Sequence, residues 1–304
     1  LVDLDLIFSD APQAARRFGV VGWPLDYSLS PVMHNAALTH FTIPAAYRAL
    51  RVSPEDWENF LRGLERGRLE GFNVTIPHKE RVLGLARELK GNVAACRAAN
   101  TLLRGTQGWE AYNTDGEGLL EDLREQSMGW EGESVVLLGA GGAARAALFS
   151  LGNSPRPPRE IILVNRSLDR AEVLTREFQS TSGRKVEVRV RQDVHEAAER
   201  AVLLINATSV GLKEGDPCAV PPEDLRGGLS VYDMVYHRET ALLKAARSVG
   251  ALASDGLGML INQGALAFEQ WFREDLKKVN YDSRQLREIM GAAVRAALNE
   301  RKIP

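Results

Sequence analysis

The sequence predicts an α/β protein of two domains: an N-terminal α/β domain, then a doubly wound parallel sheet, with C-terminal helices packing back on the first domain. Three observations predict it. Strand-like and helix-like stretches alternate along a chain of 304 residues, a length that suits two domains of about 150 residues each. A glycine-rich turn, Gly139 to Gly142, joins the most apolar strand, Ser134 to Leu138, to a helix. Beyond Asp255-Gly256 the pattern is helical almost throughout, from Met259 to Arg301, and such a tail has no strand partner of its own.

The head, LVDLDLIFSD, sets acids among apolar residues with no basic flank, unlike a secretory signal, and reads as an extension ahead of the fold. Arg17 to Val21 is the first strand. Ser30-Pro31 then opens an amphipathic helix over Val32 to Thr39, because a hydroxyl caps free N–H groups and proline suits the first helical position. The pattern repeats: Ala46 to Val52 is a strand, and Ser53-Pro54 opens a helix to about Arg66. Gly71 to Ile76 is the third strand, a helical stretch follows Pro77, and Ala99 to Leu103 with Trp109 to Tyr112 adds β structure. This alternation implies a parallel-rich sheet.

A helical stretch, Gly118 to Gln126, follows a domain boundary near Asp115. Strands then recur at Ser134 to Leu138, Glu160 to Asn165, Lys185 to Val190, Ala201 to Asn206 and Leu229 to Val235, with helical patterns between most of them. That arrangement is doubly wound.

Composition narrows the partners. With 38 basic and 40 acidic side chains the net charge is -2, which offers no global attraction to nucleic acid or anionic lipid. No run approaches the ~20 apolar residues of a membrane span. Cys96 and Cys218 are too few for a disulfide framework and lack zinc spacing, so a reducing cytoplasm and no metal are expected. Any anionic ligand must be held by a local site.

Gly139, Ala140, Gly141, Gly142 and Ala143 stand between a strand and a helix, where glycines permit a tight turn and close approach of a pyrophosphate. Ala144 replaces the third glycine of the NAD fingerprint, a position that mainly controls helix-to-strand packing. The second strand ends in Asn165-Arg166-Ser167, followed by Arg170. An NAD-binding fold normally places an acid there, which would repel a 2′-phosphate, whereas an arginine fork accepts one. NADP is therefore the expected cofactor. Asn206, Thr208 and Gly211 fall at the carboxyl end of a later strand, the edge where ligands bind in open α/β sheets.

Seven motifs, in order, go beyond a nucleotide-binding fold: GxPxxxSxSPxxHN (Gly22 to Asn35), FNVTIPHK (Phe72 to Lys79), Asn100-Thr101, NTDGEG (Asn113 to Gly118), NATSVGL, DMVY and GMLINQGALAFEQW. Over Phe18 to Trp271 the chain closely resembles the shikimate dehydrogenases. The resemblance implies a substrate-binding catalytic domain over 1–115 and 258–304 and a Rossmann NADP-binding domain over 116–257. It implies NADPH-dependent reduction of 3-dehydroshikimate to shikimate, in aromatic amino acid and chorismate biosynthesis, by a cytoplasmic monomer or homodimer.

Site residues carry over position by position. Ser28 and Ser30 match the pair that holds the substrate carboxylate, beside a helix start whose free N–H groups favour an anion. Asn73 and Thr75, two apart at a strand's end and so on one face, match the groups that bond ring hydroxyls, together with Asn100. Lys79 matches the catalytic lysine, whose ammonium protonates the reacting oxygen, and Asp115 its companion, a counter-charge that keeps the lysine protonated. Tyr236 and Gln263 match substrate contacts, and Met234 and Gly258 match positions beside the nicotinamide. His34 and His78 are not used by the family.

Arg97 stands where glycine is usual, His237 where a proline often follows the tyrosine, Ser167 for a frequent threonine, and Phe272 for a small residue. Two rival readings are an NAD-dependent quinate or shikimate dehydrogenase and a non-catalytic NADP-binding regulator. The serine pair and Arg166 oppose the first, and retention of Lys79 and Asp115 opposes the second.

Overall fold

Apolar runs too short for helices become the strands of two six-stranded sheets in the computed structural model, which describes residues 3–12, 15–66, 69–182 and 186–301. Two compact units contain them: Leu1–Thr114 with Ile261–Pro304, and Asp115–Leu260.

The first unit begins with a short helix, α1 (Leu4–Ile7), and then β1 (Arg16–Gly22), α2 (Ser30–His40), β2 (Ala45–Arg51), α3 (Trp57–Arg66) and β3 (Leu69–Val74). The head is more than an extension: Leu4 and Phe8 are buried in the same core as Val21, Leu50, Phe60 and Phe72. Past Pro77 the expected helix does not form. A 3₁₀ turn (Arg81–Leu85) leads instead into β4 (Ala86–Leu89), whose alternating half-buried and exposed residues suit a sheet edge. After α4 (Val93–Cys96) the chain makes a hairpin of β5 (Thr101–Gly105) and β6 (Gly108–Tyr112).

The strand order is β2-β1-β3-β5-β6-β4. β1 pairs in parallel with β2 and β3, while β5 runs antiparallel to both β3 and β6. The sheet is therefore parallel at one end and mixed at the other.

The second unit opens with α5 (Asp115–Glu125) and alternates β7 (Ser134–Leu138), α6 (Gly142–Asn153), β8 (Glu160–Val164), α7 (Leu168–Thr181), β9 (Glu187–Arg191), α8 (His195–Arg200), β10 (Leu203–Asn206), β11 (Ser230–Asp233), α9 (Ala241–Ser248) and β12 (Leu252–Asp255). All its strand pairs are parallel, in the order β9-β8-β7-β10-β11-β12, which is the 3-2-1-4-5-6 order of dinucleotide-binding sheets. β7 is central and buried at all five positions, as expected where both faces are covered. Lys185, the expected start of the third strand, lies outside the described residues. β12 has no apolar run and was not expected.

The tail comprises α10 (Leu257–Trp271), α11 (Arg273–Leu276) and α12 (Ser283–Arg301). α12 packs on α2, and Trp271 Nε1 donates to the Leu102 carbonyl of β5 at 2.9 Å. The C-terminal helices thus complete the first unit.

Candidate active site

In the first unit the expected substrate side chains converge from four places. Ser28 is half-buried in the loop after β1, and Ser30, the first residue of α2, is buried. Asn73 and Thr75 come from the end of β3, Asn100 precedes β5, and Gln263 lies on α10. Ser30 does not cap its helix: Leu29 occupies the cap position, with no side-chain cap bond. Near it lies Tyr47, a β2 side chain only 1% exposed. Ser53 does not open α3 either: it accepts from the Asp56 N–H at 3.3 Å in a turn ahead of the helix, which begins at Trp57.

From Tyr47 a buried polar network runs through the site. The Tyr47 hydroxyl donates to Asn73 Oδ1 at 2.7 Å, and Asn73 Nδ2 donates to the Asn100 carbonyl at 3.1 Å and to Thr101 Oγ1 at 3.0 Å. Thr101 Oγ1 donates to Asn100 Oδ1 at 2.9 Å, and Asn100 Nδ2 reaches Thr114 Oγ1 at 2.9 Å and Gln263 Oε1 at 3.2 Å. Three expected substrate residues, Asn73, Asn100 and Gln263, are joined in this way. Thr75 is tied to the end of β1 by its N–H, which donates to the Val21 carbonyl at 2.9 Å. Lys79 is half-buried, and its carbonyl accepts from the Ala99 N–H at 2.8 Å, which pins the strand exit beside Asn100.

Neither histidine offers acid-base chemistry. His34 is fully enclosed, stacked on Tyr47 at 4.3 Å, and burial pushes its pKa down to about 3. His78 is buried against Trp57, with Nε2 2.8 Å from the Val52 carbonyl, and burial lowers its pKa as well.

In the second unit the strand-turn-helix expected to hold a pyrophosphate is present. Gly139 has φ 107°, a left-handed conformation that side chains resist, and an added Cβ would lie 3.0 Å from the Ala207 carbonyl oxygen. A Cβ on Gly141 would meet nothing within 4 Å, so open space adjoins the start of α6. That helix has no side-chain cap and no acid in its first turn, leaving backbone N–H groups for an anion. Ala140, Gly142 and Ala143 are half-buried around it, and Ala144 is buried against the sheet side. At the end of β8, Arg166, Ser167 and Arg170 are solvent-exposed, and Asn165 Nδ2 donates to the Ser167 carbonyl at 2.7 Å. These residues fit a dinucleotide bearing a 2′-phosphate.

Thr208 is locked rather than open: its hydroxyl donates to Asn206 Oδ1 at 2.7 Å and accepts from the Val210 N–H at 3.1 Å. Asn206 in turn donates to Asp233 Oδ1 at 2.9 Å, so NATS and DMVY form one bonded loop pair. Met234 and Tyr236 are half-buried just beyond β11, and the Met234 N–H donates to the Asn206 carbonyl at 3.0 Å. Asp115 is the buried first residue of α5.

Two anchors were not anticipated. Asp122, on the apolar face of α5, accepts from the Tyr232 hydroxyl at 2.5 Å and the Met259 N–H at 2.9 Å, and a Cβ on Gly258 would lie 2.1 Å from its Oδ1. It fixes the start of α10. Burial raises its pKa, against the pull of those hydrogen bonds. The sequence signal was available: an acid among Leu119, Leu120 and Leu123 on a buried helical stripe. Tyr47 carried no such signal, because a tyrosine in a strand reads as core. Among the described residues no group of three or more His, Cys, Asp or Glu is placed to hold a metal, and no helix is long and apolar enough to cross a membrane.

Comparison with known proteins agrees with this architecture. The family model described as the shikimate dehydrogenase substrate binding domain matches residues 20–102, and that of the shikimate 5′-dehydrogenase C-terminal domain matches residues 256–272. A curated shikimate dehydrogenase (NADP(+)) from Methanopyrus kandleri is 40% identical over 267 residues, covering 84% of this chain and 90% of its own. The crystal structure of shikimate dehydrogenase from Aquifex aeolicus superposes with a TM-score of 0.82 at 30% identity, covering 93% of this chain and 99% of that one. The Thermus thermophilus shikimate 5-dehydrogenase, in complex with NADP(H) and shikimate, gives a TM-score of 0.77 at 32% identity, covering 91% and 99%. Identity at this level over nearly the whole length, on a shared two-unit α/β fold, makes this chain a member of the shikimate dehydrogenase family.

Proposed function

We propose that this chain catalyses the reversible, NADPH-dependent reduction of 3-dehydroshikimate to shikimate, in the cytoplasm, with the first unit binding substrate and the second binding cofactor. The observation that carries the reading is the buried network in which Asn73, Asn100 and Gln263 meet close to the strand exit that bears Lys79. Ser28 and Ser30 hold the carboxylate, and Asn73, Thr75, Asn100, Tyr236 and Gln263 hold the ring and its hydroxyls. In the second unit the loop from Gly139 to Ala143 takes the pyrophosphate. Asn165, Arg166, Ser167 and Arg170 take the adenosine 2′-phosphate end, and Thr208, Met234 and Gly258 line the nicotinamide side.

When bound, the reduced nicotinamide supplies hydride to the ketone carbon. The Lys79 ammonium gives a proton to the ketone oxygen as negative charge develops there, and in reverse the neutral amine takes the hydroxyl proton back. Asp115 supplies the carboxylate that favours the charged lysine.

The test is absorbance loss at the NADPH band with 3-dehydroshikimate, run beside NAD with quinate. Turnover is expected in the first mixture, and preference for the second overturns the assignment. A Lys79→Ala protein should keep its fold and a KM within a few-fold while losing about 10²- to 10⁴-fold in kcat, the range for an acid-base group. Near-normal kcat removes Lys79 from that role.

A further inference from the structure

We propose that Tyr47 is a positioning residue that holds the hydroxyl-binding Asn73 in place and fixes it as a hydrogen-bond acceptor toward the ligand. This deepens the substrate reading above and rests on it.

Tyr47 has one hydroxyl proton, and it goes to Asn73 Oδ1 at 2.7 Å. Asn73 Nδ2 faces the Asn100 carbonyl at 3.1 Å, which can only accept, so the carboxamide orientation is settled. Its second N–H goes to Thr101 Oγ1 at 3.0 Å. Thr101 then passes its own proton to Asn100 Oδ1, and Asn100 donates to Gln263 Oε1. Every donor from Tyr47 to Gln263 points the same way, an arrangement in which each bond polarises the next. Tyr47 heads the chain. Its ring is 1% exposed and held by His34 at 4.3 Å and Trp271 at 6.0 Å.

The consequence concerns which oxygen Asn73 reads. Both its N–H groups are taken, so it presents oxygen alone to a ligand and must receive a hydroxyl proton. The reacting oxygen of the substrate is a ketone in one direction and so cannot be its partner. Asn73 therefore reads one of the two ring hydroxyls that the reaction leaves unchanged. Disturbing it changes binding rather than chemistry.

Tyr47→Phe keeps the stacked ring and deletes the link. We expect it to fold, with KM for shikimate raised about tenfold, the worth of one neutral hydrogen bond, and kcat within about twofold. In an Asn73→Ala background, where the link is already cut, the same substitution should raise KM less than threefold. A side chain that only packs would give equal penalties in both backgrounds. Additive penalties, an unchanged KM, or a kcat loss as large as the KM change overturns the role. Should Tyr47→Phe not fold, the unmodified protein decides, with competitive analogues of shikimate altered at each non-reacting hydroxyl. At one position the keto analogue should bind more weakly than the deoxy analogue, because acceptor meets acceptor; tighter binding of the keto analogue at both positions overturns the proposal. Absence of wild-type turnover sinks the substrate reading and this one together, whereas turnover with an unaltered Tyr47→Phe sinks this one alone.

Discussion

Arg97 illustrates how a residue's departure from a family pattern becomes physical once its backbone is known. It ends α4 at φ 48° and ψ 38°, the left-handed region, which explains why glycine is usual there: an L side chain in that region costs roughly 1–2 kcal/mol. The arginine side chain is exposed, so the loop keeps its course into Ala98, Ala99 and Asn100. Phe272, where a small residue is usual, is 1% exposed between Phe18 and Phe268 and extends the core of the first unit. His237 replaces a proline and bonds through Nε2 to the Leu212 carbonyl at 3.0 Å. Arg166, on which the proposed preference for a 2′-phosphate rests, lies just past the end of β8 and is exposed, so that its fork can meet a phosphate. Arg166→Ala should raise KM for NADPH by about ten- to a hundredfold, the worth of a charge-assisted bond pair, while KM for NADH moves less than about threefold. Steady-state kinetics with both cofactors check this, and equal losses for the two would leave Arg166 a solvated surface charge. The glycine turn was legible because motif and local geometry coincide. Tyr47 was not, because its role depends on a cross-strand neighbour 26 positions away.

Elements with both faces buried were easiest to read: β7 was found at its observed bounds, and β8 within a residue, because unbroken apolar runs leave little choice. Edges were not. β4 and β12 lack such runs and exist because a neighbouring strand offers its free N–H and C=O groups, information that is not local. The junction of α5, β11 and α10 has the same character, since Asp122 serves Tyr232 and the Met259 N–H from three separate segments. Removing the carboxyl leaves two buried donors without an acceptor, so Asp122→Ala should lose about 2–4 kcal/mol of stability. Asp122→Asn keeps an oxygen for both donors and should stay within about 1 kcal/mol. The pH dependence separates the two effects. Burial raises the folded-state pKa of Asp122 above its unfolded value, so the native state holds the proton more tightly and stability falls as pH rises between them. Urea denaturation across that window should show the slope in wild type and a shallower one in the asparagine variant; an unchanged slope would remove Asp122 as its source.

At the scale of the whole molecule, the two units differ in how they are cut from the chain. The second is continuous, Asp115–Leu260, and closes its own sheet, whereas the first needs Ile261–Pro304 as well as Leu1–Thr114. The helical tail was legible as partnerless, and its destination follows from what the first sheet lacks. Trp271 and Phe272 cover Phe18, Phe268 packs on Phe272, and Leu286, Met290 and Val294 are buried on α12, which packs on α2. Burying each such side chain contributes about 1.5–3 kcal/mol, so together they supply roughly 10 kcal/mol, comparable to the stability of an entire domain. A chain ending at Leu260 should therefore unfold in its first unit while the second remains cooperative. A fragment of Asp115–Leu260 alone should fold, and its melting temperature should rise with NADP⁺ more than with equal NAD⁺, because ligands that bind only the native state stabilise it by mass action. Circular dichroism melts of both proteins test the argument. A first unit that survives loss of the tail would mean that its core lies elsewhere, and a fragment indifferent to NADP⁺ would take the cofactor site out of the second unit.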